Sequence, residues 1–156
     1  MTDGTDHLKL RDIILGGQDG LVNVLGVTLG IAAASGDTRL VLAGGLAATF
    51  AESFSMAAVA YTSTLTGDRA LLSSAIVGGS AVLGSFVPLV PFFLLPVAAG
   101  IWVSLLISSA ALFVLGVYKA KFIKRNLWKS GLEIATIGVA SAIIGYAVGV
   151  FFRAPA

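Results

Sequence analysis

Between Arg69 and Lys119 the chain carries no charged side chain for 49 residues, Ala70 to Tyr118. One bilayer crossing takes about 20 apolar residues, so this stretch is too long for a single span. Three prolines in PLVPFFLLP divide it, because proline removes a backbone donor and breaks a helix. The expectation is two spans joined by a tight apolar hairpin. Three further apolar runs complete the set, giving spans at about 13–34, 40–65, 70–93, 96–118 and 132–152. They are flanked by a leader, residues 1–12, and a tail, residues 153–156. The predicted fold class is all-α, an integral membrane bundle of five transmembrane helices.

Composition agrees. The chain is 57% hydrophobic and 12% charged with a mean hydropathy of +0.98, far from a soluble domain. It has 19 glycines, which fall within the apolar runs, where small residues let membrane helices approach closely. There is no cysteine, which removes disulfides and thiolate chemistry, and His7 alone in a polar leader makes no histidine metal site. The leader MTDGTDHLKLRD is not followed by a small-residue cleavage pattern and does not read as a removable signal. The longest polar connection is about a dozen residues, so no soluble domain fits. Nothing suggests bond-making chemistry or a prosthetic group, and the chain reads as no enzyme.

The net charge of +2 and pI of 9.2 invite a nucleic-acid reading. The distribution of the bases refutes it. With the N-terminus cytosolic, the inner side collects Lys9, Arg11, Arg69, Lys119, Lys121, Lys124, Arg125 and Lys129, leaving Arg39 and Arg153 outside. Lysine and arginine accumulate in short cytoplasmic loops, so YKAKFIKRNLWKS becomes an inner-surface loop beside anionic headgroups, with Trp128 as an interface anchor. The short loops and the lack of a targeting segment favour a prokaryotic cytoplasmic membrane.

The polar residues inside the spans carry the functional signal. On a 3.6-residue wheel, Gly16, Asp19, Gly20, Asn23, Gly26 and Gly30 share one stripe of the first helix. Gly45, Thr49, Glu52, Met56, Ala60 and Ser63 follow the same spacing in the second, placing Glu52 and Met56 one turn apart. A carboxylate near mid-membrane costs about 2.5–3.5 kcal/mol on insertion scales, and such residues usually face a bundle interior and mark ion or proton paths. Asp19, Asn23 and Glu52 offer hard oxygens and Met56 a soft thioether, a mixed set suited to a transition metal rather than magnesium or calcium. Carboxylates crowded together in low dielectric hold protons that an entering divalent cation displaces. Metal passage against protons follows.

Packing readings stand beside these. Met56 can fill core space, Asp19 can cap or hydrogen-bond between helices, and Glu52 can bond a neighbouring serine. Ser130 and Glu133 fit an S-x-x-E capping box opening the fifth helix, and Asp12 sits where a helix N-terminus favours negative charge. Gly138, Ala142, Gly145 and Gly149 form a packing seam.

The motifs RDIILGGQDGLVNVLGVTLGIAAAS, FSMAAVAYTS, VPLVPFFL and KRNLWKSGLEIATIGVASAIIGYAVG, in that order, resemble those of the vacuolar iron transporter family. The resemblance runs from about Arg11 to Phe152. It implies a symmetric homodimer with an ion path between subunits, lined by first and second helices, moving Fe2+ or Mn2+ out of the cytosol against protons. By position, the family's first-helix aspartate falls on Asp19 and its second-helix methionine on Met56. Two departures stand out: YTSTLTGDRALLSS joins the second and third spans where many members insert a glutamate-rich metal-binding domain, and Ala60 occupies a position where many have glutamate. The expectation is a dimeric divalent-metal transporter with Asp19 and Met56 as ligands and Glu52 and Asn23 lining the path. The competing classes are a small proton-coupled exporter of organic cations, which predicts aromatic residues around the acid, and a non-transporting membrane interaction module.

Overall fold

The computed structural model describes the backbone of residues 3–64 and 67–153, and their side chains except those of residues 3–7 and 68. The expected end of the second span at Leu65, the His7 side chain and the tail beyond Arg153 lie outside the described residues. Five helices follow one another: α1 (Asp3–Ser35), α2 (Thr38–Ser63), α3 (Gly67–Leu94), α4 (Val97–Phe122) and α5 (Leu127–Phe151). Each contains a stretch long and apolar enough to cross a membrane.

The helices run alternately up and down because their connections are too short for anything else. Gly36, with φ of +62°, closes α1, and Asp37 caps α2 by accepting from the Arg39 N–H at 2.7 Å. At the hairpin between α3 and α4, Pro96 occupies the N-cap. Pro88 and Pro91 do not divide the uncharged stretch; both lie inside α3. A membrane helix tolerates proline where neighbouring helices shield the freed backbone. Here Gly84 of α3 abuts the Gly17 carbonyl, and Ser104 of α4 donates to the Pro88 carbonyl at 2.8 Å.

Two other local expectations are corrected. α5 opens at Asn126, whose side chain accepts from the Lys129 N–H at 3.2 Å, so Ser130 and Glu133 are already inside the helix and form no capping box. Asparagine is as strong an N-cap as serine and comes earlier in the chain. Asp12 is not at a helix N-terminus, because α1 begins at Asp3; the polar leader offers no proline to stop it. The Asp12 carboxylate is buried and accepts from Ser73 of α3 at 2.6 Å.

α1 is the central element. Leu21 packs with Leu112 of α4 and Ile134 of α5, Leu25 and Leu29 pack with Ala142 of α5, and Ala32 packs with Val41 of α2 and Phe92 of α3. Lipid is as apolar as leucine, so close van der Waals fit rather than hydrophobic expulsion holds such a bundle. The outer surface is correspondingly greasy: Leu83, Trp102, Ile143 and Phe151 are all exposed. That surface suits lipid and no aqueous phase.

The glycine stripe of α1 serves two neighbours. A Cβ on Gly16 or Gly20 would strike the carbonyls of Val77 or Ala81 in α3, whereas Gly26 and Gly30 lie against Ser141 and Gly145 of α5. On the other side of that contact, Gly145 abuts the Gly26 carbonyl and Gly149 the Gly30 carbonyl. The α5 seam is thus a packing surface, extended by Gly138 against Leu112 of α4. With helix backbones touching on both sides, the rotation of α1 is fixed, and its polar residues are presented to α2.

Candidate functional site

That rotation brings Asp19 and Asn23 of α1 to Glu52 of α2. The Asn23 amide nitrogen donates to Glu52 Oε1, and the Asp19 carboxyl lies within hydrogen-bonding reach of the Glu52 carboxyl. Asp19 and Glu52 are half-buried, and Asn23 is exposed. Residues 29 or more positions apart meet here, well inside two apolar spans. Because Asn23 spends its nitrogen on Glu52, its amide oxygen has no partner among the described residues and is available as a ligand.

The cluster opens onto a groove of about 1070 Å³ between α1, α2 and α5. Asn23 and Glu52 are its polar floor; Val27, Ala48, Ile137 and Ile144 supply apolar walls. α5 enters this groove because Ser141 donates to the Val22 carbonyl of α1 at 3.1 Å, beside the Gly26 contact. Sequence reasoning missed the contribution of α5. Its glycine row signals packing, but the adjacent row of isoleucines looks like any lipid-facing surface.

Met56 is placed differently. It is half-buried one turn from Glu52, yet it borders a second cavity at the basic end of the bundle, with Leu15, Val59 and Asp12, rather than the groove. The structure therefore gathers Asp19, Asn23 and Glu52 and sets Met56 just beyond them. Phe50 and Phe54, the aromatics nearest Glu52 in sequence, face a different groove toward α3 and are exposed. An aromatic cage around the acid is therefore missing among the described residues.

Among the described residues, no three His, Cys, Asp or Glu side chains converge as a metal centre. The chain offers two carboxylates and an amide oxygen, all hard donors, with Asn23 and Glu52 lining an open groove. So small a donor set suits transient binding of a cation better than a resident structural ion.

A VIT-family model matches residues 10–75 and 65–150, nearly the whole chain. The chain belongs to the VIT family. The members of this family are transporters and not enzymes. Asp19, Asn23, Glu52 and Met56 all lie within the first matched segment. An uncharacterized protein of Methanocaldococcus jannaschii is 29% identical over 167 residues, covering 88% of this chain and 87% of that protein. Vacuolar iron transporter 1 of Eucalyptus grandis is 38% identical, and vacuolar iron transporter 1 of Arabidopsis thaliana 40% identical, each over 76 residues. Those matches cover 47% of this VIT-family chain and 30% of each plant transporter.

Proposed function

We propose that this chain transports a divalent transition metal, Fe2+ first and Mn2+ second, out of the cytosol in exchange for protons, along a path between two copies of itself. The observation that carries the proposal is the meeting of Asp19, Asn23 and Glu52 between two apolar spans, where Asn23 and Glu52 line a groove. Uncompensated, such groups cost several kcal/mol in lipid. A function that needs a desolvated cation site accounts for their retention. The named plant relatives, both iron transporters, support iron as the leading substrate.

A second copy completes the site. The groove exposes Asn23 at membrane depth, and covering it with the same groove of another protomer would double the oxygen donors around one central axis. Closed two-fold pairing is the commonest symmetry for such self-association. The natural absence of cysteine makes this directly testable. Single cysteines introduced at Val27, Ile137 and Ile144 should yield an oxidatively cross-linked dimer at one position or more, while Leu83→Cys, on an exposed site outside the groove, should not. Cross-linking at Leu83 with none in the groove would move the path elsewhere.

The basic end faces the cytosol in this reading, since the starts of α1, α3 and α5 and the ends of α2 and α4 gather there with eight of the ten lysines and arginines. A cation arriving from that side meets Met56 before Glu52. Its thioether is then an entrance ligand that favours iron over harder ions. Met56→Leu conserves volume and should cost under about 1.5 kcal/mol of stability. Fe2+ uptake into proteoliposomes under an imposed pH gradient should nevertheless fall, with Mn2+ uptake affected less. Unchanged uptake of both metals would return Met56 to a packing role.

A further inference from the structure

The cavity at the basic end has no place in the scheme above beyond its border with Met56. It measures about 520 Å³ and opens between the first turns of α1, the last turns of α2 and the start of α3. Lys9, Arg11 and Arg69 line it, and Leu15, Val59 and Leu72 provide a greasy wall. All three cations are exposed, and none is ion-paired among the described residues. The single described carboxylate in the lining, Asp12, is already engaged by Ser73. Such a lining, three positive charges beside one carboxylate already engaged by Ser73, attracts an anion.

We infer that this cavity binds an anionic phospholipid, with the phosphodiester between Arg11 and Arg69 and one acyl chain against Leu15, Val59 and Leu72. Two observations select a lipid over a soluble anion. Exposed charges and an apolar wall line the same open cavity, so a ligand with a charged head and an aliphatic tail fills both parts. The same end of the bundle also carries Lys119, Lys121, Lys124, Arg125 and Lys129 on the α4–α5 side, which places the cavity at the headgroup level of an anionic leaflet. Basic pockets between membrane helices hold acidic headgroups in this way. Arginine suits the task because its planar fork matches two phosphate oxygens. The inference requires only that the chain is embedded in a bilayer, and it stands or falls independently of the transported substrate.

The test is lipid binding to the purified protein in neutral detergent, read by native mass spectrometry and by thermal unfolding. Phosphatidylglycerol should bind at least about tenfold more tightly than phosphatidylcholine with the same acyl chains, a difference that is plain in both readouts, and should raise the unfolding temperature. Inorganic phosphate at millimolar concentration should do neither. Arg11→Gln with Arg69→Gln should erase the preference, and Leu72→Trp should block it by filling the crevice. Lys121→Gln with Lys124→Gln, outside the cavity, should keep it. Unfolding in phosphatidylcholine alone reports whether each variant is folded, and Arg69→Gln by itself, at an exposed position, serves if the arginine pair does not fold. The inference is overturned if the cavity variants retain the preference, if the lysine pair removes it equally, or if phosphate alone reproduces the stabilisation.

Discussion

Glu52→Gln and Asp19→Asn are each expected to reduce pH-gradient-driven Fe2+ uptake into proteoliposomes by about 10-fold to 100-fold or more. The magnitude follows from metal sites generally: losing even an outer hydrogen-bonding partner of a ligand costs about 10–100-fold, and here a charged donor would be lost outright. Both substitutions preserve size and remove a charge whose burial is costly, so the folded protein should be retained or slightly stabilised. This separates function from folding. A packing role for the acids predicts the reverse pattern, with stability altered and flux intact.

The pair also makes a coupling argument. Asp19 and Glu52 lie against one another, so their effects should not add. In the proposed exchange, losing either charge removes the paired site, and the double variant should transport about as poorly as the worse single one. Asn23→Ala tests the same geometry from the other side. It removes the amide that holds the Glu52 carboxylate toward α1 and leaves both charges in place. Proton flux should be checked in parallel, because an exchanger that loses metal binding but still leaks protons would mean that the two paths separate at this cluster.

Much of this architecture is legible in the chain because the bilayer restricts the options. With no water to satisfy backbone groups, a run of apolar residues has to be helical, and five such runs give five helices. Prolines are harder to read. PLVPFFLLP suggests that all three prolines share in dividing the stretch, yet only Pro96 stands at a helix boundary, and Pro88 and Pro91 are buried inside α3. The capping readings of Asp12 and Glu133 fail for a related reason: local signals compete with the first adequate cap upstream, and polar ends of membrane helices continue past the lipid. In the site, wheel geometry puts Asp19 and Asn23 on one stripe of α1, and only tertiary contacts decide which neighbour that stripe faces. Gly16 and Gly20 turn toward α3, Gly26 and Gly30 toward α5, and the polar pair toward Glu52. The separation of Met56 from the groove arises at the same level. One helical turn along α2 is enough to move a side chain from one cavity to the next.

Those glycine contacts set the second large effect. Gly145→Val is expected to prevent accumulation of folded protein, whereas Gly79→Ala should be harmless. A Cβ on Gly145 collides with the carbonyl of Gly26, and one on Gly149 with the carbonyl of Gly30. Neither obstacle is a flexible side-chain tip that could swing away; both are backbone, so relief requires α1 and α5 to separate. Overpacking of a core generally costs about 1–3 kcal/mol, occasionally more. Here the separation would also disturb the Ser141 hydrogen bond to Val22 and the α5 wall of the groove. At Gly79, by contrast, an added methyl group would meet nothing within 4 Å, and exchanging a helical glycine for alanine adds up to about 1 kcal/mol of helix propensity. Detergent-solubilised yield, size-exclusion profile and unfolding temperature measured side by side would decide the matter. Because α1 is held by glycine contacts on two sides, a substitution at Gly84, which abuts the Gly17 carbonyl, should reproduce the Gly145 defect from the α3 side. Equal tolerance of valine at Gly145, Gly84 and Gly79 would mean that close helix approach does not set the rotation of α1, and with it the meeting of Asp19, Asn23 and Glu52 would lose its structural cause.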